Sequence, residues 1–93
     1  MTFDDFKKSL SGEQPEVSNA LLALWLDAKG DWNGAHNALQ DGNQDDDWVH
    51  AYLHRKEGDL SNARYWYNCA GREMPELSLE EEWNAIAQAL LAA

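Results

Sequence analysis

Two stretches of this sequence match each other 28 positions apart, and this match restricts the fold more than any other feature. Residues 30–35 (GDWNGA) align with residues 58–63 (GDLSNA). In each copy the glycine can turn the chain after one helix, the aspartate can cap the next helix, and the alanine leaves room where two helices cross. Because such a match is typical of stacked helical units, the pattern predicts a helical hairpin that occurs twice.

The spacing of apolar residues predicts helices along the rest of the chain as well, and no segment predicts a strand. The expected helices cover about residues 3–10, 15–30, 31–40, 48–58, 59–70 and 79–92. The polar run 41–47 is expected to be a loop whose last residue, Asp47, caps the fourth helix. Ser78 and Glu81 have the spacing of a capping box before the last helix. The predicted fold class is therefore all-α.

The second copy carries five residues in a recognisable order: Gly58, Leu60, Ala63, Tyr67 and Ala70. In this order it resembles tetratricopeptide repeats and their Sel-type relatives. The first copy departs from the pattern, since a glycine at position 42 stands where the second alanine is expected. The resemblance covers residues 17–72 and implies antiparallel helical hairpins in two repeats. The helices at 3–10 and 79–92 would then serve as N- and C-terminal caps of a single domain over residues 1–93.

Charge and cysteine content exclude several classes of partner. Seventeen acidic residues against seven basic ones give a formal net charge of −10, which disfavours electrostatic binding to nucleic acid or to an anionic membrane. No segment has the length and apolarity of a membrane span or of a secretory signal. Cys69 is the single cysteine and has no partner for an internal disulfide, which is typical of a reducing compartment. We therefore expect a cytoplasmic protein.

The resemblance also implies a binding surface. In this family the first helix of each repeat lines a concave groove that takes an extended peptide or a partner helix. In this sequence the corresponding residues are Leu24, Asp27, Trp48, Tyr52, Arg55 and Lys56. We therefore predict a helical repeat module that binds a protein or peptide and has no catalytic activity, although aromatic residues at helical spacing are also typical of a core.

The histidines suggest an alternative function. His50 and His54 lie four residues apart on one face of the fourth helix, a spacing that two metal ligands can use. His36 belongs to the helix expected to pack against that face, so the three imidazoles are predicted to converge on zinc or iron. Glu57 or Cys69 is a candidate fourth ligand. The competing interpretation is three structural, hydrogen-bonded histidines.

Two further alternatives remain open at this stage. The sequence has no nucleophile elbow and no glycine-rich phosphate loop, so an enzyme is not expected. A small hydrolase or ligand-binding domain with a pocket near His54 and Glu57 is nevertheless the second alternative function. The apolar face of the last helix, from Trp83 to Leu91, is large for so short a chain, and a homodimer through this helix is a further alternative.

Overall fold

The computed structural model describes residues 1–40 and 42–92, and within these ranges it is built from helices without any strand. The helices are α1 Phe3–Ser9, α2 Asn19–Ala28, α3 Trp32–Ala38, α4 Gln44–Glu57, α5 Leu60–Cys69 and α6 Leu79–Ala92. The predicted all-α class is confirmed. No helix in the described ranges has both the length and the apolar character needed to cross a bilayer.

Side-chain caps set where the helices begin, and two of them correct the predicted boundaries. The second helix begins at Asn19, because the Ser18 hydroxyl accepts a hydrogen bond from the Leu21 amide. It does not begin near Pro15. The fourth helix begins at Gln44, because the Asn43 side chain accepts from two amides of the first turn. The predicted loop at 41–47 is thus wrong for its second half, and Asp41 lies outside the described residues.

The two glycine turns have the same backbone geometry. Gly30 and Gly58 adopt φ angles of 86° and 88°, in the left-handed region that favours glycine. The amide after each glycine donates to a carbonyl of the helix just ended, at 2.9 Å for Asp31 and 3.0 Å for Asp59. Each aspartate side chain then caps the next helix. As a result, α2 packs against α3 and α4 packs against α5.

Helix α4 lies at the centre of the molecule, in contact with α2, α3, α5 and α6. Its residues Val49, Ala51 and Leu53 are fully buried. The alanines at matched positions 35 and 63 are fully buried too, which lets the paired helices approach closely.

The C-terminal helix closes the other side of the core. The Trp83 ring stacks on Phe6 of α1 with centroids 5.8 Å apart, and its indole N–H donates to the Leu24 carbonyl of α2 at 2.9 Å. Ile86 and Ala87 are fully buried on the same face. Helix α6 therefore covers α2 and α4 on the side where the resemblance implies an open groove.

Candidate metal centre

His36, His50 and His54 converge between α3 and α4. One ring nitrogen of each histidine lies within 4.8 Å of those of the other two. The Nε2 atoms of His36 and His50 are 2.9 Å apart, which is a hydrogen bond in which one ring donates and the other accepts. His50 and His54 are buried, whereas His36 is half-buried. The predicted convergence of the three imidazoles is thus present in the structure.

Two tryptophans hold the imidazole rings in place. Trp66 of α5 stacks on His50 with ring centroids 4.0 Å apart and planes 20° from parallel. Trp32 of α3 stacks on His36, with centroids 5.2 Å apart, and its indole N–H donates to the Leu53 carbonyl of α4 at 2.9 Å. Stacking covers the ring faces, and the ring nitrogens lie at the edges, which the stacking does not cover. The imidazoles are therefore oriented before any ligand arrives.

A carboxylate orients the third histidine. The Nδ1 atom of His54 lies 2.9 Å from Oε1 of Glu57, three residues further along α4. This contact favours the tautomer that carries its proton on Nδ1, so the lone pair of Nε2 is available. The Asn62 side-chain nitrogen lies 3.3 Å from that Nε2. In this structure Glu57 therefore fixes the orientation of the His54 ring.

The arrangement fits a metal ion with little movement. Three nitrogens bound to zinc at 2.0 to 2.1 Å lie about 3.3 Å from one another in a tetrahedral site. The His36–His50 nitrogens at 2.9 Å would have to separate by a few tenths of an ångström, and His54 would have to approach. Such shifts are within reach of small ring rotations. Two groups of potential metal ligands occur among the described residues: the three histidines, and a group formed by His54, Glu57 and Asp59. Cys69 is exposed and belongs to neither group.

The residues predicted to line a groove are mostly in the interior. Leu24 is fully buried, and Tyr52, Asp27 and Trp48 are 2%, 3% and 8% exposed. An extended peptide therefore has no access to these side chains as a continuous groove. The physical reason is α6, which packs against both α2 and α4 and occupies the space.

Part of the predicted set nevertheless meets at a surface cleft. Asp27, Tyr52 and Lys56 line a cleft of about 300 Å³, whose apolar wall includes Trp83. The Asp27 carboxylate accepts from the Tyr52 hydroxyl at 3.2 Å and from the Lys56 ammonium at 3.0 Å. Asn84 of α6 lies at the same cleft. The carboxylate is thus already satisfied within the chain.

The remaining groove residue, Arg55, belongs to a second buried network. The guanidinium donates to the Glu82 carboxylate at 2.8 Å and also to the Leu77 carbonyl. The Tyr67 hydroxyl donates to the other Glu82 oxygen at 2.5 Å. Burial and then the hydrogen bond to this carboxylate raise the pKa of Tyr67 far above its ordinary value. Glu82, in the acidic first turn of α6, is 2% exposed.

Sequence reasoning missed three residues of the metal centre: Trp32, Trp66 and Asn62. The spacing of Trp32 and His36, four apart in one helix, was the available signal for the first. Comparisons of the chain with protein-family models, with curated proteins and with solved structures find no match. The function is therefore argued from the geometry of these residues.

Proposed function

We propose that this chain is a helical protein that binds a transition-metal ion, zinc or iron, through His36, His50 and His54. The observation that supports the proposal is the convergence of one nitrogen from each ring within 4.8 Å. Imidazole nitrogen suits zinc and iron better than it suits calcium or magnesium, which prefer oxygen ligands. The Glu57 carboxylate on His54 Nδ1 is the kind of outer partner that metal-bound histidines have.

The test is metal binding by protein purified without an affinity tag, because a polyhistidine tag binds the same ions. Calorimetric titration with zinc is expected to give one ion per chain. His36→Gln is the preferred variant, since His36 is only half-buried and its replacement disturbs the core least. This change is expected to weaken zinc binding at least tenfold, because one of three ligands is lost.

Cys69→Ser is the matched control, because Cys69 was the other ligand considered and is exposed. It is expected to bind zinc like the parent chain, and circular dichroism should show equal helix content in both variants. Zinc affinity that is the same in His36→Gln, Cys69→Ser and the parent chain would contradict the proposal. Loss of zinc binding in Cys69→Ser would mean that the zinc site includes the cysteine and is not the histidine cluster proposed here.

A second candidate function is a protein-interaction module made of two hairpin repeats, with α1 and α6 as caps, working in a reducing compartment such as the cytoplasm. The matching geometry at Gly30 and Gly58 favours it. The surface proposed for the partner is the cleft beside Lys56, in place of the buried groove. Its ligand would be an apolar side chain of a partner protein seated against Trp83.

This second function is tested by blocking the cleft. Asn84→Arg places a large side chain at the cleft, and Ser61→Arg is a control on the exposed side of α5. Partner recovery from the source cell should fall for the first variant and stay unchanged for the second. Equal recovery with both variants would exclude the cleft.

A further inference from the structure

We infer that the ion held by the three histidines keeps one coordination position open, and that this position takes a small exchangeable monoanion with an oxygen or nitrogen donor atom. The inference rests on the proposed metal site and concerns what else the ion binds. It follows from the number of ligands, the way the cluster reaches the surface, and the charge balance at the ion.

The number of protein ligands is three. Within residues 1–40 and 42–92, the histidine cluster contains no fourth side chain of the His, Cys, Asp or Glu type. Glu57 is engaged at Nδ1 of His54, on the opposite edge of the ring from Nε2. A structural zinc site is closed by four protein ligands, whereas a site with three protein ligands leaves a position for water or another small ligand.

The cluster reaches the surface on one side. His50 is covered by Trp66 and lies in the core, while His36 and the stacked Trp32 are both half-exposed. Because stacking blocks the ring faces, a fourth ligand has to approach along the ring edges, from the side of His36.

Charge and hydrogen bonding select the class of ligand. Three neutral imidazoles carry no charge, and the Glu57 carboxylate on His54 offsets only one of the two positive charges of a divalent ion, so a monoanion is favoured at the open position. The Asn62 side-chain amide lies at hydrogen-bond distance, 3.3 Å, from Nε2 of His54. When Nε2 binds the ion, this N–H loses its acceptor and can donate to a bound anion instead. Water would fill the position when no anion is present.

Cobalt(II) with added azide tests the inference, because the visible absorption of cobalt(II) reports its coordination. Cobalt should bind one per chain, and azide should then change the spectrum in a saturable manner. At saturating cobalt, Asn62→Ala is expected to weaken azide binding about fivefold through loss of one hydrogen bond. The backbone amide of residue 62 remains capped by Asp59 in this variant.

Two outcomes would overturn the inference, and they are distinguishable. Cobalt that binds but gives a spectrum unaffected by azide indicates a closed site. This result would support the metal site and contradict the open coordination position. Absence of cobalt and zinc binding removes both proposals together. Cys69→Ser should behave like the parent chain in both titrations, and an azide response that appears in this variant but not in the parent chain would mean that the cysteine, and not the anion, completes the site.

Discussion

Two buried carboxylates, Asp27 and Glu82, determine much of the chemistry inside this small protein. Each accepts one hydrogen bond from a tyrosine hydroxyl and one from a cation of α4. An ionised carboxylate in the interior is tolerated only with such partners, because its loss of hydration is otherwise uncompensated. The tyrosines therefore have to remain protonated for the networks to persist.

This requirement predicts a stability loss in alkali. Burial, then the nearby carboxylate, raises the pKa of Tyr67 and of Tyr52 well above the ordinary value near 10. Above about pH 10 the unfolded chain releases tyrosine protons that the folded chain keeps. The free energy of unfolding therefore has its full value below about pH 10 and falls as the pH rises further. A near-ultraviolet titration should show Tyr52 and Tyr67 ionising only as the protein unfolds.

Tyr65→Phe provides the control for this titration. Tyr65 is 59% exposed, so its removal should leave the alkaline unfolding where it was and restrict the titration signal to Tyr52 and Tyr67. Three tyrosines that ionise together near pH 10 in a protein that remains helical would contradict the buried hydrogen bonds of Tyr52 and Tyr67.

The Glu82 network predicts a second effect at residue scale. Glu82→Ala leaves the mostly buried Arg55 charge and the Tyr67 hydroxyl without their acceptor, and should lower the free energy of unfolding by about 3 kcal/mol. Glu82→Gln keeps an acceptor and should cost about 1 to 2 kcal/mol. Urea denaturation measures both. Glu80→Gln, exposed in the same helical turn, should change stability by less than about 0.5 kcal/mol. Similar values for the Glu80 and Glu82 variants would mean that the network contributes nothing.

At the scale of helices, the glycine turns give the clearest prediction. Gly30→Ala and Gly58→Ala force an alanine into the left-handed region, although the added methyl group has no atom within 4 Å. The cost is thus one of backbone conformation, about 1 kcal/mol in each case. Gly12→Ala is the control, because its φ is not positive and its surroundings are open. Urea unfolding should rank Gly12→Ala as neutral, and an equal loss at all three positions would contradict the turn geometry.

The sequence predicted the helices well where a cap and a glycine frame them, as at Asp59 and Gly58. It misplaced the starts of α2 and α4, because Pro15 and Asp47 are also good starting residues and tertiary packing selects Ser18 and Asn43 instead. The histidine cluster was predictable because the repeat register places His36 on the partner helix. The burial of the residues assigned to the groove was not predictable, because no local sequence pattern reveals that α6 packs over α2 and α4.

At the scale of the whole molecule, the placement of α6 determines how much apolar surface remains for a second copy of the chain. Trp83, Ile86 and Ala87 are buried against the chain's own helices, and Leu90 and Leu91 are half-buried. The large apolar face that suggested a homodimer is therefore mostly used within one chain. Among the described residues, the large apolar side chains that are exposed are Met1, Leu60, Tyr65 and Leu77, and none of them belongs to α6.

These observations predict that the protein is a monomer. Sedimentation equilibrium should give a mass near 10.5 kDa, and the net charge of −10 should oppose association further at low salt. Leu90→Lys and Leu91→Lys should leave this mass unchanged, because neither side chain is expected to contact a second copy of the chain. A species of twice the mass that these changes convert to monomer would mean that the end of α6 is an interface after all. Measuring the mass at low and at high salt separates charge repulsion between chains from apolar association. Salt screens the repulsion but leaves apolar contacts intact.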